Sequence, residues 1–166
     1  MTDGPTIGDG LDLDSMRGVA NAAFVDDALG IEWDELSLER VRAHVVAGPQ
    51  HHQPYGIVHG GVYCGIVETL ASVGAALQVW DDGTAVVGVS NSTDFIRSHR
   101  EGRLDAVGEP IHVGRSQQLW QVRITRAADG KQVARGQVRL HHLPEGADGS
   151  GRPTGVTEGN GEDTGG

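Results

Sequence analysis

Two short groups of residues carry types and spacings that can do chemistry. His59-Gly60-Gly61 precedes a long apolar run, and inside that run Glu68 and Ser72 stand four residues apart. The run, residues 61–79, has helical spacing: Val62, Ile66, Leu70, Val73 and Leu77 form one stripe, and Ala71, Gly74, Ala75 and Ala76 keep the remainder slim. Glu68 is its only charged residue. A helix with one charge is normally wrapped by protein, so Glu68 is a carboxylate in a largely buried element. Residues four apart share a helix face, about 6 Å along the axis, so the Glu68 carboxylate and Ser72 hydroxyl can hold one water between them. An ordinary solvated glutamate is the competing reading, weakened by the absence of other charges nearby. At the helix start, backbone N–H groups lack partners within the helix, and a glycine there lets a ligand approach them closely. Gly60 N–H can therefore stabilise a developing oxyanion. Tight packing at the helix start explains the Gly-Gly pair equally well.

Spacing constrains how these groups cooperate. Gly60 and Glu68 are eight residues apart, about 12 Å along a helix, whereas one reacting carbonyl must lie about 3 Å from both oxyanion donor and attacking group. Within one chain they cannot serve the same carbonyl. Two copies of the helix lying antiparallel across a two-fold axis would bring Gly60 of one chain to Glu68 of the other, so catalysis by this pair requires a dimer.

The elements that must position these groups follow from periodicity. Met16, Val19, Ala20, Ala23 and Phe24 predict a short amphipathic helix within residues 13–29, ending at Gly30. Strands are predicted at 31–36 and 38–46, and residues 48–56, with Pro49 and Pro54, read as an ordered loop. After the long helix come strands at 84–96, 103–113, 116–126 and 131–142, with a hairpin signal at Asp129-Gly130. Helix, two strands, buried helix and four strands predict an α+β domain in which an antiparallel sheet curls around one central helix.

Composition narrows the function classes. The chain has 166 residues, the size of one domain, with 37% hydrophobic residues. Its longest uncharged stretches are broken by glycines, Ser72 and Glu68, which argues against a membrane span, and Met1 opens no basic, apolar signal segment. The cytoplasm is the expected compartment. Of the net charge of −10, the ends at residues 1–14 and 144–166 carry −8, so the folded body has no basic face and nucleic acid is excluded as a partner. The predicted boundaries are a disordered segment at 1–10, the folded domain at 11–143, and a glycine-rich, acidic, disordered tail at 144–166.

Other candidates are weaker. His51-His52 and His141-His142 diverge on an extended chain and lack clustered carboxylates, so no metal site is expected. Cys64, the single cysteine, has apolar neighbours and reads as a small core residue. Arg97, Arg100, Arg103 and Arg115 gather around strand ends, where they are solvated or meet ligand phosphates. Ser72 has no base placed to make it a nucleophile. Tyr55, Tyr63 and Trp120 divide between core and pocket lining.

The run Gln53-Pro54-Tyr55-Gly56-Ile57-Val58-His59-Gly60-Gly61, followed by Glu68 and Ser72, resembles the hotdog-fold acyl-CoA thioesterases of the phenylacetate-degradation type. It is most similar to the branch acting on aromatic acyl-CoAs such as 1,4-dihydroxy-2-naphthoyl-CoA and 4-hydroxybenzoyl-CoA. The likeness continues through Val86-Val87-Gly88, Phe95-Ile96-Arg97-Ser98, Arg100-Glu101-Gly102, residues 110–116, and Trp120-Gln121. The resemblance implies a hotdog fold, dimers that pair into tetramers, sites at the dimer interface, and hydrolysis with water alone, without metal or cofactor. It implies Glu68 as nucleophile or general base, Gly60 N–H on the thioester carbonyl, Gln53 and His59 holding the thioester, and Ser72 orienting water. It further implies that Gly88, Phe95, Ile96, Arg97, Ser98, His112, Val113, Gly114, Arg115 and Ser116 line the coenzyme A path. Phe95 departs from the family, whose relatives carry a histidine there. Two other expectations stay open at this point: a hotdog protein that binds an acyl-CoA or aromatic ligand without turnover, and hydration of an enoyl-CoA on the same fold.

Overall fold

The computed structural model describes residues 24–80 and 84–143. The predicted ends at 1–10 and 144–166, and most of the helix predicted at 13–29, lie outside the described residues. What is described of that helix is a π-helical turn, Phe24–Leu29, closed by Gly30 at φ 62°, a left-handed conformation that glycine adopts without steric penalty. Strands β1 (Ile31–Leu36) and β2 (Val41–Ala47) follow. β2 begins three residues later than predicted, because Ser37 and Arg40 close a turn: Ser37 N–H donates to Arg40 O at 2.9 Å, and Arg40 N–H donates to Ser37 Oγ at 3.1 Å. The loop at 48–56 holds one 3-10 turn, Pro49–His51. Helix α1 (Gly60–Gln78) and strands β3 (Val86–Phe95), β4 (Gly102–Val113), β5 (Gln117–Arg126) and β6 (Gln132–His142) complete the order the periodicity predicts.

All six strands join one antiparallel sheet in the order β1-β2-β4-β5-β6-β3. Alternate residues turn inward and meet α1: Leu104 and Ala106 from β4, Trp120, Val122 and Ile124 from β5, and Val138 and Leu140 from β6 are all buried. They close on Ile66, Val67, Leu70, Ala71 and Ala75 of the helix. Each large aliphatic side chain so buried contributes about 1.5–3 kcal/mol. Trp120 is a core residue, and the helix makes room for it at Gly74, where a Cβ would lie 2.5 Å from the indole ring. Gln118, also buried, is satisfied on three sides: it donates to Ala75 O at 3.1 Å, contacts His142 Nε2 at 3.0 Å, and accepts from the Trp120 indole N–H at 2.8 Å. These bonds tie the C-terminal half of α1 to β5 without leaving a buried polar group unpaired.

By length and composition α1 could cross a membrane, with a mean hydropathy of 1.4 over an 18-residue window. It is instead the helix around which the sheet curls. The wrapping is incomplete: Gly61, Val62, Cys64, Gly65, Glu68, Thr69 and Ser72 are only partly covered or exposed. Cys64 is therefore not the core residue the sequence predicts; it sits half-buried on the uncovered side of α1. Beside that side runs β3, the terminal strand of the sheet, ten residues long, whose outer edge pairs with no other strand among the described residues.

Candidate active site

One irregularity in β3 decides what faces Glu68. Pairing with β6 shifts between Gly88, opposite Leu140, and Ser90, opposite Arg139, so Val89 is an extra residue in a bulge. In a regular strand, residues three apart point to opposite faces. The bulge instead turns Gly88 and Asn91, whose partners Leu140 and Val138 are both buried, toward the helix together. A Cβ at Gly88 would overlap Glu68 Oε1. Asn91 Nδ2 donates to Glu68 Oε2 at 2.9 Å and to Cys64 O at 3.1 Å, while Thr93 Oγ1 donates to Asn91 Oδ1 at 2.7 Å. Ser72 Oγ is 3.5 Å from Glu68 Oε1, a loose contact one helical turn on. Glu68, Ser72 and Gly88 thus come together, and Asn91 joins them although the sequence reading does not include it.

The start of α1 forms a second group. His59 is the N-cap residue, and its Nδ1 accepts from Gly61 N–H at 2.8 Å. Nε2 is then the ring nitrogen that carries a proton toward solvent. A Cβ at Gly61 would lie 2.9 Å from that imidazole nitrogen, and a Cβ at Gly60 would lie 2.5 Å from the Phe95 ring, so a side chain at either position would have to displace its neighbour. Gly60 N–H, in addition, has no acceptor among the described residues, which leaves it able to donate to a ligand. The preceding loop is stitched to the segment after β3: Val58 N–H donates to His99 O at 2.8 Å, Arg100 donates to Gly56 O at 2.9 Å, and His52 Nε2 donates to Arg100 O at 2.7 Å.

This stitching builds a cleft of about 250 Å³ lined by Gln53, Gly60, Tyr63, Phe95, Arg97 and Ser98, with Ile57, Val58 and Ile96. The Tyr63 ring packs 6.0 Å from that of Phe95. Tyr63 is buried, its hydroxyl has no partner within the described chain, and burial pushes it up to about 12. Tyr55, by contrast, is 80% exposed. Arg97 donates to Gln132 O at 2.7 Å, so part of its guanidinium anchors the strand end.

The remaining predicted residues lie elsewhere. His112 borders a groove of about 500 Å³ on the outer face of the sheet with Ser90, Leu119, Gln137 and Arg139. Its imidazole folds over Gly114, where a Cβ would lie 2.7 Å away. Val113 is 45% exposed, Arg115 O accepts from His142 Nδ1 at 2.9 Å, and Ser116 O accepts from His142 N–H at 2.9 Å. Strand register places this turn at the same end of the sheet as Gly88, in the row Gly88, Leu140, Gln118, Val113. Phe95 lies at the opposite end, in the row Phe95, Ala134, Ile124, Ala106. Seven residues of β3 separate the two ends, about 20 Å. Among the described residues no group of three His, Cys, Asp or Glu side chains converges in a metal-binding arrangement.

Comparison with known proteins gives this geometry a setting. Residues 55–133 match the sequence profile described as the Thioesterase superfamily. "Putative esterase Rv1847" of Mycobacterium tuberculosis is 47% identical over 120 residues, covering 71% of this chain and 85% of that protein. Its solved structure aligns with a TM-score of 0.69 at 45% identity, over 72% of this chain and 95% of that one. Proofreading thioesterase EntH of Cronobacter turicensis is 32% identical over 110 residues, covering 66% of this chain and 79% of that protein. The structure of thioesterase HI1161 from Haemophilus influenzae aligns with a TM-score of 0.72 at 28% identity, over 80% of this chain and 91% of that one. With identities of this size extending over most of each relative, and one sheet curled on one helix in common, the chain belongs to the thioesterase superfamily and is a thioester hydrolase of hotdog fold.

Proposed function

We propose that this thioester hydrolase is an acyl-CoA thioesterase that converts an aromatic acyl-CoA to the free acid and coenzyme A, in a site shared between two chains. The observation that carries the reading is the arrangement along β3. Among the described residues, an acceptor-free N–H at Gly60 and a half-exposed carboxylate at Glu68 lie on the uncovered side of one helix, beside a strand whose outer edge is unpaired. Edge strands that long are normally protected or paired. A second copy added antiparallel along β3, with the two-fold axis near its middle, sets the Gly60 end of one protomer against the Glu68 end of its partner. The same operation joins the cleft at Phe95, Ile96, Arg97 and Ser98 to the turn at His112, Val113, Gly114, Arg115 and Ser116 across the interface, making one coenzyme A path with Gly88 at its inner end. Such dimers then pair into tetramers.

In this site Gln53 and His59 hold the thioester, and Gly60 N–H donates to its carbonyl oxygen as negative charge develops there. Glu68 takes a proton from the water that Ser72 orients, and the resulting hydroxide adds to the carbonyl carbon; alternatively Glu68 itself adds and water cleaves the anhydride. Either way the C–S bond breaks, the thiolate of coenzyme A leaves and is protonated, and the acid remains. A thiolate is a good leaving group, so carboxylate, water and oxyanion donor suffice. Acyl-CoA substrates place the work in the cytoplasm.

The test is thiol release, read with a disulfide dye, from benzoyl-, 4-hydroxybenzoyl-, 1,4-dihydroxy-2-naphthoyl-, phenylacetyl- and straight-chain acyl-CoAs. Faster release from the aromatic thioesters supports the reading, and release from straight chains alone contradicts its substrate class. Tight calorimetric binding of an acyl-CoA without release from any of them would make the protein a binding module. Gly88→Ala supplies a further check, because the added methyl must displace Glu68 Oε1. It is expected to lower kcat at least about 10-fold while the unfolding midpoint changes little, since the added methyl meets only the end of the Glu68 side chain and neither residue belongs to the buried core.

A further inference from the structure

The closest partner of the Glu68 carboxylate is Asn91, and the hydrolysis scheme above gives it no task. The orientation of its amide is set by its neighbours. Cys64 O can only accept, so the amide nitrogen must face it, at 3.1 Å, and the Thr93 hydroxyl donates to the amide oxygen at 2.7 Å. With the amide turned this way, its nitrogen also donates to Glu68 Oε2 at 2.9 Å, a charge-assisted bond to an ionised carboxylate. The two carboxylate oxygens are thereby unlike. Oε2 is engaged by Asn91, whereas Oε1 occupies the space that only glycine leaves at position 88 and has the Ser72 hydroxyl 3.5 Å away.

We propose that Asn91 is a positioning residue for hydrolysis: it clamps Oε2 against the turn of α1 at Cys64 and so makes Oε1 the oxygen that meets water or the acyl carbon. This inference rests on the thioesterase reading given above. Nothing in the packing of the strand asks for an asparagine here. In the single chain the residue is exposed, it lies on the terminal strand outside the protomer's buried core, and it is of a type depleted in strands. Thr93 acts one step further out, by fixing which way the amide is turned.

The experiment is steady-state thiol release from the best acyl-CoA substrate, with unfolding midpoints measured for every protein. Asn91→Ala is expected to lower kcat about 10- to 100-fold with KM unchanged, the effect of losing a hydrogen bond to a charged group. Thr93→Val, which removes one of the bonds that orient the amide and leaves the one to Cys64 O, is expected to lower kcat about 2- to 10-fold and stands in should Asn91→Ala fold poorly. Glu68→Asp supplies the control, because its shorter carboxylate no longer reaches the amide; adding Asn91→Ala to it is expected to change kcat little. A merely structural asparagine would cost the same in both backgrounds. Equal losses in both, or wild-type kcat in Asn91→Ala, alongside an inactive Glu68→Gln, overturn the positioning role and leave the hydrolase reading standing. Wild-type turnover in Glu68→Gln, or no release by the wild-type protein, overturns that reading and this inference with it.

Discussion

Glu68→Gln is expected to lower turnover about 10²- to 10⁴-fold, the range associated with losing a positioned acid–base group, while acyl-CoA binding measured by calorimetry stays near wild type. The structure makes the substitution unusually clean. The glutamine carbonyl oxygen can take the place of Oε2 and accept from Asn91 Nδ2, as the carboxylate does at 2.9 Å. The amide nitrogen then occupies the position of Oε1, facing Gly88 and Ser72. A donor that cannot take a proton or attack carbon stands where the reacting oxygen was. Shape, packing and the clamp are retained, so loss of rate with retention of binding isolates the chemistry. Steady-state kinetics paired with calorimetry checks both halves.

Gly60→Pro is the second large effect. Proline is tolerated in the first turn of a helix, where its missing N–H costs no intrahelical bond. At Gly60 that N–H is the proposed oxyanion donor, so its removal is expected to lower kcat about 10²- to 10³-fold. The proline ring must also push aside Phe95, which lies 2.5 Å from the Cβ position but is itself 57% exposed and free to rotate outward. Comparison with Gly60→Ala separates these contributions. Alanine displaces Phe95 equally and keeps the N–H, so it should retain most of kcat and show its effect in KM. Equal losses in the two variants would assign the role of Gly60 to packing alone.

Which features were legible in the sequence follows from how local each one is. The long helix and six strands are written in apolar spacing, and their order alone suggests a sheet around one helix. Glu68 stands out because it is the only charge in an otherwise uncharged helix. Asn91 is not legible. It sits in Ser-Asn-Ser-Thr-Asp, which reads as a solvated strand, and alternation counted from Gly88 puts it on the wrong face unless the bulge at Val89 is known. Its meeting with Glu68, 23 residues away, is a product of tertiary packing. The capping role of His59 is hidden for another reason: histidine is not among the residues usually preferred at an N-cap, so the His-Gly-Gly triplet points to ligand chemistry and conceals the bond to Gly61 N–H. Cys64 misleads because apolar neighbours suggest burial, whereas one side of α1 is left uncovered by its own sheet.

The shared site is the central claim, and mixing subunits tests it most directly. Glu68→Gln and Gly60→Pro protomers, each nearly inactive alone, are unfolded together in equal amounts, refolded, and assayed for thiol release. A mixed dimer then holds one site with Gly60 from the first protomer and Glu68 from the second, both intact, and one site with both defects. Random pairing makes about half the dimers mixed, so about one quarter of wild-type activity should return. Activity that stays at the level of the separate variants, in a mixture shown to contain mixed dimers, would mean that each site is built within one chain.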